Sequence, residues 1–349
     1  MEDLRDGTMP TFFEEVKIEW DKSKFNVCVV ETVKQGHTGY KIKGFDKQGE
    51  FEIVRRFREF YALRSALRKR WVGFYVPGIP PKKPLGNKEE GIVNERWYLF
   101  NRFMQEISLI PHLWESDEMA NFIHPKIDVE KSLNLMGKIT SKEVLERLAN
   151  HSGIDYDIAN ASTSKYKDQF RDFVASSKDI FKFLEEFKNF AKQIERIRKM
   201  KMLAHSKFGG LLNKYEESTV AVYGLADFSN NRVVSNTDDS KVRDTIDAVP
   251  KQINNPYREF KHWIKEEIID FHALVEAISQ RELIEHLKSK AESKRKSAQA
   301  QLDKLNAGKK TLKTIFKSAS SKASDITNLT QTIAQCSEDI ENYEKAAVY

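Results

Sequence analysis

The second half of the chain spaces its apolar residues in a way that long helices satisfy. From about residue 164 onward, glycine and proline become scarce and apolar side chains recur at intervals of three, four or seven residues. The apolar stripes are Phe173, Ile180, Leu184, Phe187, Ala191 and Ile194; Ile264, Ile268, Phe271, Val275 and Ile278; and Ile326, Leu329, Ile333, Cys336, Ile340 and Tyr343. This pattern predicts three long amphipathic helices with breaks at residues 227–231 and 306–308. Pro250 and Pro256 should kink the second helix or restart it near its beginning.

The first 125 residues show a different pattern, which is typical of a small mixed domain. Residues 25–30 are apolar, and residues 40–45 and 50–54 alternate with period two, as half-buried strands do. Residues 46–49 fit a hairpin turn. Apolar residues then return at helical spacing, at Phe60, Leu63 and Leu67 and again between Trp97 and Ile107. We predict an α+β domain, a three-stranded antiparallel meander with helices, followed by an all-α domain of long helices.

The composition limits the functions that such a chain can have. Its 349 residues suffice for two domains, and a formal net charge of +6 suits an anionic partner. The two cysteines lie in apolar patterns, which favours a reducing compartment. The sequence has no apolar run long enough to span a bilayer and no apolar leader, so we expect membrane contact to be peripheral and cytosolic.

The pattern of reactive residues favours binding over catalysis. The eight histidines show no metal-ligand spacing, and Cys28 and Cys336 have the surroundings of core residues. Basic runs on coiled-coil helices without neighbouring aromatic residues disfavour nucleic acid as a partner. We therefore expect no enzymatic activity, no catalytic residue, no metal and no cofactor.

Two adjacent arginines at a strand end provide the candidate site of the first domain. Arg55 and Arg56 precede Phe57, and a stiff proline-rich turn from Val76 to Lys83 follows. The arginine guanidinium is a planar fork of donors that fits phosphate oxygens, and an aromatic face can stack on an apolar ring face. The combination suits a phosphorylated ring. The alternative is that these charges are simply solvated at an ordinary strand end.

Residues 52–63, Glu-Ile-Val-Arg-Arg-Phe-Arg-Glu-Phe-Tyr-Ala-Leu, resemble the signature of the PX (phox homology) domain, a phosphoinositide-binding module. The resemblance continues in order through residues 79–82, 94–99, 110–113 and 121–125, and covers residues 10–125. It implies that Arg56 holds the 3-phosphate of phosphatidylinositol 3-phosphate and that Phe57 stacks beneath the inositol ring. It also implies that Lys82 reaches the 1-phosphate and Arg96 the 4- and 5-hydroxyls. Phe57 stands where tyrosine is common, which keeps the stacking face.

Large apolar residues precede the proline-rich turn. They are Trp71, Val72, Phe74, Tyr75 and Val76, close to turn positions where polar side chains are usual. Either they pack against the helix that precedes them, or they form the membrane-inserting loop beside the headgroup site that the PX resemblance implies. The sequence leaves both alternatives open.

Behind a PX domain, residues 164–349 resemble the BAR (Bin/amphiphysin/Rvs) domain of the PX-BAR sorting nexins, with residues 309–344 similar to the opening of their last helix. In that family three long helices pair into a curved antiparallel dimer, and the stripes above would form its apolar seam. Here the third helix looks short, which should weaken dimerisation. Residues 126–163 form a linker, in which Thr140 and Glu143 indicate the capping box of a short amphipathic helix. That helix either joins the domains as a strut or wedges into a curved membrane.

Basic clusters on the predicted helices fit contact with anionic lipid. They are Arg196, Arg198, Lys199 and Lys201 on the first helix; Lys288, Lys290, Lys294, Arg295 and Lys296 on the second; and Lys309, Lys310 and Lys313 at the opening of the third. Each basic residue near an anionic leaflet contributes about 1 kcal/mol to binding. The alternative is that these residues form solvated faces interleaved with acidic ones.

Together the resemblances imply a sorting-nexin-like protein of membrane trafficking on the cytosolic face of endosomes. Its partners would be phosphatidylinositol 3-phosphate, anionic membrane, a second helical domain in a homo- or heterodimer, and cargo or coat proteins. The dimer would sense curvature or form tubules. The alternative function is a protein-interaction scaffold or cargo adaptor whose helices bind a partner coiled coil, with the PX domain only targeting it to membrane.

Overall fold

The computed structural model of the protein describes residues 20–82, 90–223, 256–307 and 319–349. Its three strands are β1 (Val27–Gln35), β2 (His37–Asp46) and β3 (Gly49–Arg56), paired antiparallel in the order β1-β2-β3. The predicted meander is thus confirmed, with strands longer than the sequence pattern indicated. The hairpin turn is also confirmed, since the Gln48 amide donates to Asp46 Oδ1 over 2.8 Å. Gly49 closes that turn at a φ of 115°, which glycine adopts without strain.

Five helices accompany the sheet. They are α1 (Phe57–Arg70), α2 (Glu90–Ser108), α3 (Pro111–Trp114), α4 (Asp117–Ile123) and α5 (Val129–Leu135). The apolar faces predicted for the first two are buried, and their aromatic rings meet at the centre of the core. Phe60 and Phe100 stack with ring centroids 4.0 Å apart, and Tyr40 meets Phe100 edge-on at 4.9 Å. Burial of each such ring contributes roughly 1.5–3 kcal/mol to folding.

Helix α2 is fixed to the sheet at an irregularity in β1. The register between β1 and β2 shifts between Val29 and Glu31. Asn101 Oδ1 accepts a hydrogen bond from the Val29 amide over 2.9 Å, and Trp97 Nε1 donates to the Val29 carbonyl over 2.7 Å. Because buried backbone groups need partners, these two bonds fix the position of α2 along β1. They thereby also set the position of Arg96, the residue before Trp97.

The remaining helices are those that the sequence predicts. They are α6 (Ser141–His151), α7 (Tyr156–Tyr223), α8 (Pro256–Asn306) and α9 (Ala319–Ala346). The capping box that opens α6 is confirmed: Thr140 N donates to Glu143 Oε2 over 2.6 Å, and Glu143 N donates to Thr140 Oγ1 over 3.2 Å. Helix α8 begins at Pro256, whose fixed φ suits a first helical turn, and ends at Asn306 as predicted. The predicted break at residues 227–231 and Pro250 lie outside the described residues.

The chain divides into two compact units. One comprises Trp20–Phe181 together with Ile268–Tyr349, and the other contains Lys182–Glu267. In the first unit α6 packs on α9: Val144 and Leu148 share a buried cluster with Ile284 and Ala346, and Ser141 Oγ donates to Asp339 Oδ1 over 2.6 Å. This packing favours the strut alternative for the linker helix.

In the same unit, helix α1 is joined to α8 by charged groups. Arg64 Nη2 lies 2.8 Å from Glu276 Oε2, and Arg68 pairs with the other oxygen of the same carboxylate. The backbone amide of Gly73 donates to Gln280 Oε1 over 2.7 Å. The C-terminal half of the helix that follows the Arg-Arg-Phe motif is therefore held against α8.

In the second unit, one face of α7 is buried and an adjacent apolar face is open. Ala191 is buried, and Glu195 pairs with Lys261 of α8 at 2.5 Å. In the part of α7 that belongs to this unit, from Lys182 onward, the large apolar residues that are exposed are Phe183, Phe187, Phe190, Ile197, Met200, Leu203, Phe208, Leu211, Leu212 and Tyr215. At about 100° per residue, Phe183, Phe187 and Phe190 lie on one side of the helix, roughly a quarter-turn from Ala191. We call Phe183, Phe187, Phe190, Ile197, Phe208, Leu211 and Tyr215 the open stripe of α7.

Among the described residues, no helix is at once long enough and apolar enough to cross a membrane.

Candidate functional site

The candidate site lies where β3 passes into α1. Arg56 is the last residue of β3, has an extended backbone with φ −93° and ψ 160°, and caps α1. Its backbone amide donates to Glu59 Oε2 over 2.5 Å. The first turn of a helix carries a partial positive charge, which favours an anion beside it. The position of Arg56 before α1 therefore places its guanidinium next to the N-terminus of that helix, which is a second, weaker source of positive potential.

The two adjacent arginines have different roles. Arg55 Nε donates to the carbonyl of Phe122 over 2.9 Å, and its Nη2 donates to that of Ile123 over 3.1 Å. Burial lowers the pKa of the Arg55 guanidinium. Arg55 thus anchors the end of α4. For Arg56, the described part of the chain supplies no carboxylate that forms an ion pair with its side chain, and the guanidinium remains available for a ligand.

Phe57 and Arg96 form the next part of the site. The Arg96 guanidinium carbon lies 4.2 Å from the centroid of the Phe57 ring, within cation–π range, and only 6% of Arg96 is exposed. Arg96 also hydrogen-bonds to Tyr40. Burial raises the pKa of Tyr40 to about 12, although the positive charge of Arg96 acts in the opposite direction. Phe57, the residue that follows Arg56 in the sequence, therefore holds a guanidinium that is also bound by Tyr40.

Lys82 reaches the site through a residue that the sequence interpretation missed. Its ammonium lies 3.6 Å from the centroid of the Tyr61 ring. Tyr61 is four residues after Phe57 on α1, which places the two rings on the same side of the helix. Helical spacing from Phe57 was the available signal for Tyr61. The structure thus brings Arg96 to Phe57, the sequence neighbour of Arg56, and brings Lys82 to Tyr61 one helical turn later.

This arrangement has the chemistry of a site for a phosphorylated ring. It offers two guanidinium forks, one ammonium and two aromatic faces within two turns of one helix. Charged donors bind phosphate oxygens more strongly than neutral donors do, and the forks can engage them through two parallel bonds.

The five apolar residues that precede the proline-rich turn pack inside the protein. Trp71, Val72 and Val76 are 5%, 6% and 3% exposed, respectively, and Phe74 is half-buried. Val72 contacts the α6–α9 cluster, and the Tyr75 hydroxyl lies 3.4 Å from Asp270 Oδ1. Burial and the neighbouring carboxylates raise the pKa of that hydroxyl. These contacts favour the packing alternative over membrane insertion, because side chains covered by α6 and α8 are not free to enter a bilayer.

The predicted basic clusters are mostly exposed. Lys201, Lys290, Lys294 and Lys296 are exposed, as is Arg196, whereas Arg198 and Arg295 are half-buried. Two of the lysines form ion pairs, Lys199 with Glu195 at 3.3 Å and Lys288 with Glu344 at 3.1 Å. Lys309, Lys310 and Lys313 lie outside the described residues.

Comparison with known proteins agrees with this geometry. The sequence profile of the PX domain matches residues 43–126, which include β3, α1 and the four predicted headgroup residues. Among solved structures, "The cryo-EM structure of the SNX-BAR Mvp1 tetramer" has the same fold, with a TM-score of 0.57 over 93% of this chain and 88% of that one at 14% sequence identity. No curated protein sequence matches the chain.

Proposed function

The chain contains a PX domain and has the fold of the PX-BAR sorting nexins, and from this premise we propose that it is a peripheral membrane-trafficking protein that binds phosphatidylinositol 3-phosphate on endosomes. The observation that carries this proposal is the contact of Arg96 with Phe57 directly after Arg56 at the start of α1, with Lys82 on Tyr61 one turn later. These are the residues that the PX resemblance assigns to the headgroup.

In the proposed complex each residue has a distinct task. Arg56 would bind the 3-phosphate through its guanidinium fork, supported by the positive end of α1. Phe57 would support the inositol ring from below. Arg96, held by Tyr40 and by the Phe57 ring, would donate to the 4- and 5-hydroxyls. Lys82 would reach the 1-phosphate, which joins the headgroup to the lipid.

The test compares Arg56→Gln with the wild type in vesicle co-sedimentation, with phosphatidylinositol 3-phosphate set against other phosphoinositides at physiological salt. Hydrogen bonds to charged groups contribute about 1.5–3 kcal/mol, so we expect binding to weaken at least about tenfold. Arg102→Gln is a matched control, because it removes the same charge from a half-buried residue of α2 that pairs with Glu106 at 3.7 Å. Wild-type affinity in Arg56→Gln would refute the site, and equal binding to all anionic vesicles would refute the specificity.

We also propose that the open stripe of α7 is covered by the helical domain of a second copy of the chain. Ten large apolar side chains on one helix are at least 37% exposed within this unit, far more than isolated surface residues require. Apolar residues at intervals of three and four are the pattern by which helices pair. Two pockets on one dimer would then bind a membrane more tightly than a single pocket does.

Sedimentation equilibrium tests this pairing. The wild type should be a dimer, and Phe187→Asp combined with Phe190→Asp should shift it to monomer, because both charges would enter the apolar contact twice in a symmetric dimer. Leu135→Asp is the control, since Leu135 is 76% exposed but lies on α5. A monomeric wild type would contradict self-association and favour the scaffold alternative, in which the stripe binds another protein.

A further inference from the structure

We propose that Tyr61 is a positioning residue of the headgroup site, whose ring holds the Lys82 ammonium in place before the lipid arrives. This inference rests on the proposed binding of phosphatidylinositol 3-phosphate and adds a residue to that site. It predicts a loss of affinity when the aromatic face of Tyr61 is removed, and no loss when only its hydroxyl is removed.

The backbone near Lys82 is stiff, but its side chain is not. Pro77, Pro80 and Pro81 restrict the loop that leads to Lys82. The lysine side chain itself is exposed and has four rotatable bonds, so binding a phosphate would cost it conformational entropy. The Tyr61 ring, 3.6 Å from the ammonium, is the contact that limits this freedom. An ammonium over an aromatic face keeps its charge and can still donate to a phosphate on its open side.

The second argument is the repetition of one arrangement along α1. Phe57 carries the Arg96 guanidinium at 4.2 Å, and one turn later Tyr61 carries the Lys82 ammonium at 3.6 Å. Exposure rises in the same direction: Arg96 is buried and Phe57 half-buried, whereas Lys82 and Tyr61 are both exposed. The inner pair therefore suits the ring hydroxyls, and the outer pair suits the phosphate that links the headgroup to the lipid.

Tyr61 has few of the features of a core residue. Its ring is nearly half exposed, whereas Phe60, Leu63 and Leu67 of the same helix are fully covered. Removing a ring from such a position should leave the fold intact. A cation–π contact at an exposed site corresponds to about a two- to fivefold change in an equilibrium constant. We expect the same range in lipid affinity, if the contact organises Lys82 for binding.

The experiment measures binding of the full chain to vesicles that contain phosphatidylinositol 3-phosphate, for Tyr61→Leu and Tyr61→Phe. Leucine keeps an apolar side chain without an aromatic face, and phenylalanine keeps the face without the hydroxyl. We expect Tyr61→Leu to weaken binding about two- to fivefold and Tyr61→Phe to bind like the wild type. In a Lys82→Ala background, Tyr61→Leu should have no further effect, because the two residues act through one interaction.

Three outcomes would overturn the inference. The first is that the losses of affinity from Tyr61→Leu and Lys82→Ala add in the double variant, and the second is that Tyr61→Leu and Tyr61→Phe lose equal affinity. The third is that Tyr61→Leu loses as much affinity for vesicles without the phosphoinositide, which would mean that the ring contacts the membrane directly. Soluble inositol 1,3-bisphosphate serves as a second probe, and Tyr61→Leu should weaken its binding as well. Arg56→Gln separates this inference from the proposed function: if that variant loses binding and Tyr61→Leu does not, only the role of Tyr61 fails.

Discussion

Replacing Glu118 with alanine should destabilise the PX domain strongly. Glu118 lies on α4, and none of its side chain is exposed. One carboxylate oxygen pairs with Arg70 at the end of α1 and lies 3.5 Å from Arg147 of α6, and the other accepts a weak bond from Trp71 Nε1 at 3.4 Å. The carboxylate therefore neutralises two arginines that are only 14% and 19% exposed. Its removal would leave two poorly solvated positive charges facing each other.

The size of this loss in the free energy of unfolding depends on which hydrogen bonds the two arginines keep in Glu118→Ala. Removing one partner of a buried ion pair costs about 3–5 kcal/mol. Arg70 Nη1 would still donate to the carbonyl of Gly137, and Arg147 Nη1 to that of Arg70, at 2.6 and 2.9 Å. Because these bonds remain, we expect a loss near the lower limit, about 3 kcal/mol. With a urea dependence of about 1–3 kcal/mol per molar, the midpoint should fall by roughly 1–3 M.

Urea unfolding followed by tryptophan fluorescence measures this loss. Four of the five tryptophans, Trp20, Trp71, Trp97 and Trp114, lie in the first third of the chain and report on this domain. Glu115→Ala is the matched control: Glu115 pairs with Lys47 at 2.7 Å, but their side chains are 49% and 75% exposed. Such an exposed pair contributes at most about 1 kcal/mol. If Glu118→Ala unfolds at the same urea concentration as Glu115→Ala, the buried pair does not stabilise the fold.

The pH dependence of stability and the reactivity of the cysteines give two further predictions. Burial lowers the pKa of His112 from its ordinary 6.5 to about 4, and the nearby His151, at a ring distance of 5.3 Å, adds to this effect. Between pH 4 and pH 6.5 the unfolded chain therefore binds a proton at His112 that the folded chain does not bind. Stability should therefore fall as the pH drops from 6.5 to 4, by at most about 1.4 kcal/mol per pH unit. The urea midpoint of His112→Phe should depend less on pH than that of the wild type. Parallel pH profiles of the two proteins would contradict this assignment. Burial also raises the pKa of the Cys28 thiol to about 11, and Cys336 is 1% exposed. A thiol reagent should accordingly label neither cysteine until urea unfolds the chain, and rapid labelling of the native protein would show that the core opens.

The local pattern of the sequence was sufficient for the strands and the longer helices of this protein, but not for the short helices α3, α4 and α5. The period-two alternation of residues 40–45 and 50–54 predicted β2 and β3, and the apolar spacing of residues 264–278 predicted a helix that includes them. The Thr140–Glu143 capping box predicted where α6 begins. These features depend on residues within a few positions of each other, and a local pattern can therefore specify them. The order of the motifs from Arg55 to Pro125 likewise sufficed to predict the PX domain.

Contacts between distant residues decided the rest. Nothing local distinguishes Arg55 from Arg56, which alternate to opposite faces of β3, but α4 brings the carbonyls of Phe122 and Ile123 to Arg55 alone. The apolar residues from Trp71 to Val76 could have faced a membrane, until α6 and α8 covered them. Tyr61 acquired its partner only because the proline-rich turn carries Lys82 back over α1. The sequence by itself determined which segments form the strands and the longer helices, and which residue types could bind a phosphorylated ring. The tertiary structure decided which of those side chains are buried by packing and which remain available to bind a ligand, because burial depends on segments that are far apart in the chain.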